Sequence, residues 1–229
     1  MTSAGFGAVP SIISRRASAA LSLAGLVTVL GFAQLNPVNE ARAQNAKATL
    51  VAKPGSLPDL AIGPATAPVT IIEYASMTCP HCARFEENVF PMLKSKYIDT
   101  GKVRFVFREF PLDIKAVAAS MLARCIAGDD AGKYFDAVSQ LFKQQDQLLG
   151  QTQDTLKLIG KQQSGMSEEA VETCEKDQAL LDKLSASQTF AFEKLKVDVT
   201  PTFFINGEKV KGAMTFEELD KKIRSLLRK

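Results

Sequence analysis

Metal ligands are scarce in this chain. It holds one histidine and four cysteines, and no second closely spaced ligand pair stands ready to complete a zinc site begun by two of them. Net charge is scarce as well. Of the formal +3, residues 1–43 supply Arg15, Arg16 and Arg42 against Glu40, which leaves the remainder close to neutral. Such a balance carries no electrostatic footprint for nucleic acid or for an anionic membrane surface. Long apolar runs are missing too. The uncharged stretch from Ala17 to Phe32 stops just short of the ~20 residues that a spanning helix needs. No internal repeat is visible.

What is present describes an exported globular protein. The 229 residues are 46% hydrophobic and 23% charged, ordinary values for one domain with its own core and room for an insertion. Arg15 and Arg16, the apolar run and the small-residue site Ala41-Arg42-Ala43 follow one another as in a secretory signal peptide. Residues 1–43 are therefore expected to be a leader cleaved after Ala43, with retention as a membrane anchor as the alternative. Ser14-Arg15-Arg16 gives only a faint twin-arginine hint.

Residues 44–68 are rich in Ala, Pro and Gly and read as an extended arm with one short strand. Val69–Ala75 is β-branched and aromatic, so a buried strand is expected. Phe85, Val89 and Leu93 recur at helical spacing and predict a helix from Pro80 to Tyr97, with Pro80 in the first turn where a missing N–H is harmless. Lys102–Phe110 alternates Val103, Phe105 and Phe107 with charged residues, a strand with unlike faces. Residues 112–187 read as helical, broken at Gly128-Asp129-Asp130, near Gly150 and between Lys161 and Gly165. The glutamine-rich stretch from Gln144 to Gln153 reads as a solvated helix end or loop. Thr202–Ile205 and Glu208–Lys211 flank Asn206-Gly207, a hairpin turn of type I′. Thr215 and Glu218 form a capping box before a terminal helix lined by Phe216, Leu219, Ile223 and Leu226.

Chemistry concentrates at Cys79-Pro80-His81-Cys82. The spacing alone also suits half a zinc site. Placement narrows the choice, because the motif follows a strand and opens a helix. Unsatisfied N–H groups and the positive dipole end stabilise a thiolate at Cys79. The His81 imidazole can favour that thiolate further. A stabilised thiolate favours the dithiol and makes the disulfide the stronger oxidant. Cys82, further into the helix, is expected to be the shielded partner. Cys125 and Cys174 fall on apolar faces of separate helices. In an oxidising compartment a structural disulfide between them is favoured, with two buried thiols as the alternative.

Val69 to Phe85, including Cys79-Pro80-His81-Cys82, resembles the active-site region of the DsbA family of periplasmic disulfide oxidoreductases. Val199-Thr-Pro-Thr-Phe-Phe-Ile-Asn-Gly207 is similar to that family's proline-loop strand. The resemblance implies an α/β thioredoxin fold, built from residues 69–111 and 195–229, with residues 112–194 as an inserted helical domain. It implies that Pro201 is a cis proline facing the cysteines and that Thr200 offers backbone groups to an extended substrate. Thr200 stands where some members carry valine. It also implies that Glu73 is a buried acid able to relay the proton of Cys82. A helical-domain disulfide occurs in some relatives.

The expected activity is donation of the Cys79–Cys82 disulfide to unfolded, cysteine-containing exported proteins in the periplasm. A DsbB-like membrane enzyme would re-oxidise the pair, and the protein would act as a monomer. Neither an organic cofactor nor a metal is expected, because the cysteines carry the electrons. An isomerase or reductase of the same fold, or a non-catalytic envelope binding protein, is the alternative.

Overall fold

The computed structural model describes residues 49–228. The expected leader and the start of the arm lie outside the described residues. Five strands form one sheet in the order β1-β3-β2-β4-β5. They are β1 (Ala61–Ile62), β2 (Val69–Ala75), β3 (Val103–Glu109), β4 (Thr202–Ile205) and β5 (Glu208–Lys211). β2 and β3 are parallel, and every other pairing is antiparallel. Alternation along each strand decides what each face covers. Val69, Ile71, Phe105, Phe107, Phe203 and Ile205 join the larger core, while Ile72, Tyr74, Val106 and Phe204 build a smaller one on the opposite face. Glu73 falls between Ile71 and Ala75, so it points into the larger core.

The helix expected over residues 80–97 is interrupted. Helix α1 (Pro80–Asn88) ends at Val89, helix α2 (Phe90–Leu93) follows, and Lys94–Ile98 is a wider π turn. Pro91 has no N–H to donate to the preceding turn, which breaks the hydrogen-bond ladder there. The chain recovers with Asp99 N–H donating five residues back, to the carbonyl of Lys94.

Six helices occupy the segment between β3 and β4: α3 (Ile114–Ala127), α4 (Ala131–Lys143), α5 (Gln145–Gly150), α6 (Thr152–Ser164), α7 (Glu168–Glu175) and α8 (Gln178–Glu193). The breaks at residues 128–130 and near Gly150 and Gly165 fall where the sequence places them. A further break, at Lys176-Asp177, is created by Asp177 capping α8, and α8 runs past Ser187 to Glu193. The Cys125–Cys174 disulfide joins α3 to α7, packed with Leu57, Met121 and Leu184.

The hairpin has the expected turn. Asn206 (φ 46°) and Gly207 (φ 83°) are both left-handed, as type I′ requires. Helix α9 (Phe216–Leu227) begins with the Thr215–Glu218 capping box.

The arm is less extended than its composition suggests, since residues 49–52 are helical. Two buried guanidinium groups hold it down. Arg108 binds both carboxylate oxygens of Asp59 at 2.8 Å and the Val51 carbonyl at 3.0 Å. Arg124 donates to the Pro58 carbonyl at 2.7 Å and binds Glu109 through two nitrogens. No described helix is long and apolar enough to cross a membrane.

Candidate active site

The end of β2 delivers the chain into a loop, Ser76–Thr78, which hands it to α1. Cys79 is the N-cap residue, in extended conformation, and its side chain makes no capping bond. Its carbonyl accepts from the N–H groups of Cys82 and Ala83, both at 3.1 Å. The helical insertion fixes this loop from two sides. Asp113, the cap of α3, accepts from Thr78 Oγ1 at 2.7 Å and from Ala116 N–H at 2.9 Å. Gln145 of α5 donates through Nε2 to the carbonyls of Met77 (2.8 Å) and Cys79 (3.1 Å).

Both cysteines are free thiols, and their surroundings differ. The Cys79 thiol is lowered to about 5. A hydrogen bond with the Cys82 thiol is the largest cause, partial burial opposes it, and Thr200 with the backbone N–H groups of Cys82 and His81 adds to the lowering. Cys82 is fully buried. Burial drives its thiol far up, and the bond to Cys79 and the Glu73 carboxyl push in the same direction. One sulfur is thus prepared to be a thiolate and the other to stay protonated.

Glu73 lies opposite Phe107 on one side and Phe203 on the other, only 2% exposed. Burial first, then Glu86 and Cys79, raise its carboxyl well above the ordinary range. Its protonated form is therefore favoured. The Thr200–Pro201 bond is cis, and the Thr200 carbonyl accepts from Cys79 Sγ at 3.4 Å. Cys79, Cys82, Glu73, Thr200 and Pro201 are therefore brought together.

His81 joins them differently from the sequence expectation. Its exposed ring meets Arg84, with Nη2 and Nδ1 2.7 Å apart. A guanidinium can only donate, so Nδ1 is the acceptor in this contact. What His81 offers Cys79 is its backbone N–H, not its imidazole. Cys125 and Cys174 stand apart as a disulfide. Among the described residues no group of three or more His, Cys, Asp or Glu is placed to hold a metal ion.

A family model described as thioredoxin matches residues 56–225. The chain belongs to the thioredoxin family. Within it the DsbA-like proteins are similar. The structure of Wolbachia pipientis alpha-DsbA1 superposes with a TM-score of 0.70 at 33% identity, covering 79% of this chain and 95% of that one. Bacillus subtilis BdbD superposes at 0.67, with 21% identity over 75% of this chain and 94% of its own, which speaks for the fold alone. A Rickettsia bellii relative named among the protein-disulfide oxidoreductases is 36% identical over 151 residues, 65% of this chain and 57% of its own length. This thioredoxin-family chain thus spans little more than half of that relative.

Sequence reasoning missed Gln145, Asp113, Arg84 and Glu86. Gln145 was hidden in a glutamine-rich stretch that reads as solvated. Glu86 did carry a signal, since it lies four residues after Cys82 and shares its helix face.

Proposed function

We propose that this thioredoxin-family protein is an exported dithiol oxidase that passes the Cys79–Cys82 disulfide to cysteine pairs of newly translocated proteins. The observation that carries the reading is the asymmetry of the two thiols: Cys79 lowered to about 5 at a helix N-terminus, Cys82 buried and driven up. A dithiol form stabilised in this way makes the corresponding disulfide strongly oxidising.

The steps balance as follows. A client thiolate attacks Cys79 Sγ, the Cys79–Cys82 bond breaks, and Cys82 leaves as a thiolate that takes up one proton through Glu73. A second client thiolate then attacks the client sulfur of the mixed disulfide. The client gains a disulfide, and Cys79 leaves as the stabilised thiolate. Two electrons have moved from client to enzyme, and a DsbB-like membrane enzyme removes them. The compartment we propose is the periplasm, reached through the leader expected over residues 1–43.

Unfolded clients suit the surroundings of the pair. A hollow of about 300 Å³ beside α1 is lined by Phe85, Met92, Met214 and Phe216, with Arg84 at its rim. The Thr200 carbonyl is freed when Cys79 loses its proton and can accept from the backbone of an extended client. Cys125–Cys174 has a structural role, and the protein works as a monomer.

The test is transfer itself. Oxidised protein is mixed with a reduced, unfolded two-cysteine client, and free thiols are counted by alkylation and mass. One client disulfide should form per enzyme disulfide consumed, and Cys79→Ser should abolish it. Absence of transfer from the oxidised protein would rule the reading out.

A further inference from the structure

Cys82 must gain a proton each time the disulfide opens and lose one each time it forms. Cys82 is fully buried and Glu73 nearly so, so neither can exchange that proton directly with bulk water. Burial favours the protonated form of Glu73, and a protonated carboxylic acid accepts a proton on one oxygen only by releasing its own from the other. A relay through Glu73 in that form needs a base beyond it.

The described residues place one there. Glu86 follows Cys82 by one helical turn on the same face of α1, above the sheet face from which Glu73 projects. Glu86 and Glu73 interact electrostatically. Glu86 also lines an open cleft of about 660 Å³ between α1–α2 and α4–α5. Phe142, on the wall of that cleft, packs edge-on against Phe107, the β3 neighbour of Glu73. Phe142 and Phe107 thus link the wall of the cleft to the strand position beside the buried acid.

We propose that Glu86 is the outer station of a proton path from Cys82 through Glu73 to this cleft, held in place by Ser139 and Lys143 of the helical insertion. The proposal rests on Cys79–Cys82 being a working redox pair. When the disulfide opens, the Cys82 thiolate takes the Glu73 proton, Glu73 takes one from Glu86, and Glu86 is reprotonated by water in the cleft. Re-oxidation runs the same transfers outward. Glu86 touches neither sulfur and acts through Glu73.

The surroundings of Glu86 suit a terminal acid–base group. Burial raises its carboxyl to about 7, while a hydrogen bond from Ser139 and the charge of Lys143 hold it from rising further. Both partners come from α4. Glu87, Lys94, Asp136 and Asp146 are the other charged groups facing the cleft. Near neutral pH, Glu86 is therefore present in both protonation states.

The test isolates the step in which Cys82 must lose its proton. Reduced protein is mixed with excess oxidised glutathione, so that Cys79 forms a mixed disulfide which Cys82 then resolves, releasing glutathione. Acid quenching and mass spectrometry follow both species. In the unsubstituted protein, resolution should quicken with pH through a midpoint near 7. Glu86→Gln should slow it at pH 8 by about 10²-fold, the lower end of what positioned proton transfer contributes, and should abolish that midpoint. Ser139→Ala removes a bond that favours the carboxylate, so the midpoint should move to higher pH. Alkylation of Cys79 near pH 5 should be unchanged in both variants, which shows that the redox centre is intact.

Wild-type rate and midpoint in Glu86→Gln, or an unmoved midpoint in Ser139→Ala, would overturn the path. Failure of the unsubstituted protein to form the mixed disulfide at all would instead overturn the redox reading, and the path with it.

Discussion

Cys79 Sγ donates to the carbonyl oxygen of Thr200 at 3.4 Å, while the hydroxyl of the same threonine is buried without a partner. The two facts describe one device. As a thiol, Cys79 is a donor and uses the carbonyl. As a thiolate it can only accept, and the Thr200 side chain then becomes one of the groups that hold its pKa down.

Thr200→Val tests this directly. Loss of the hydroxyl should raise the Cys79 midpoint from about 5 by about one pH unit, the size expected for one hydrogen bond to a charged group. Iodoacetamide alkylation against pH reads it. An unchanged midpoint would mean that the hydroxyl plays no part.

Stability should depend on redox state and pH together. Cys79 is depressed in the folded dithiol and titrates near its ordinary value of 9.0 when unfolded, so its contribution is complete above pH 9 and disappears as pH falls through 5. In the disulfide form it does not titrate. Glu73 is raised in the fold and works in the opposite sense, but it is present in both redox states and largely cancels in their difference. The melting temperature of reduced minus oxidised protein should therefore climb from pH 5 to pH 8 and level off below pH 5. A difference that stays flat across this range would contradict the assigned Cys79 environment.

The helical disulfide should matter to stability and not to the redox centre. Its cysteines are 49 residues apart, a loop whose closure is worth roughly 4 kcal/mol in the chain-entropy treatment. Cys125→Ala with Cys174→Ala should lose stability on that scale in urea melts, with Cys79 alkylation unaltered. A shifted Cys79 midpoint would show that the two pairs communicate.

Arg124 should be costly to remove. It binds Glu109 through Nε and Nη2, and Tyr134 donates its hydroxyl to the same carboxylate. Arg124→Ala leaves a buried carboxylate without its counter-charge, a change that costs about 3–5 kcal/mol where it has been measured. Arg124→Ala with Glu109→Gln should recover part of the loss, and no recovery would argue against the pairing.

How much of this was legible depends on the range of the interaction. Cys79 and Cys82, the turn at Asn206-Gly207 and the Thr215–Glu218 box declare themselves because their chemistry is local to a few residues. The sheet strands are legible for the same reason, as period-two patterns. Glu73 and Pro201 were recognised only through a family resemblance, since a glutamate in a strand and a proline at a strand start have commoner meanings. Gln145 and Asp113 were invisible because they meet the cysteine loop across 66 and 35 residues, which no local pattern encodes. For His81 the motif identifies the residue, but its contact with Arg84, three residues on, was not legible. The helix break at Val89 could have been read from Pro91, whose missing N–H was outweighed by the apolar spacing around it.

The central claim is that the Cys79–Cys82 dithiol is stabilised enough to make its disulfide a strong oxidant. The most direct measurement is the reduction potential of that pair in glutathione redox buffers, using Cys125→Ala with Cys174→Ala so that a single pair titrates. A value near about −120 mV, characteristic of DsbA, is expected. A value near about −270 mV, that of thioredoxin itself, would contradict the account and make the protein a reductant.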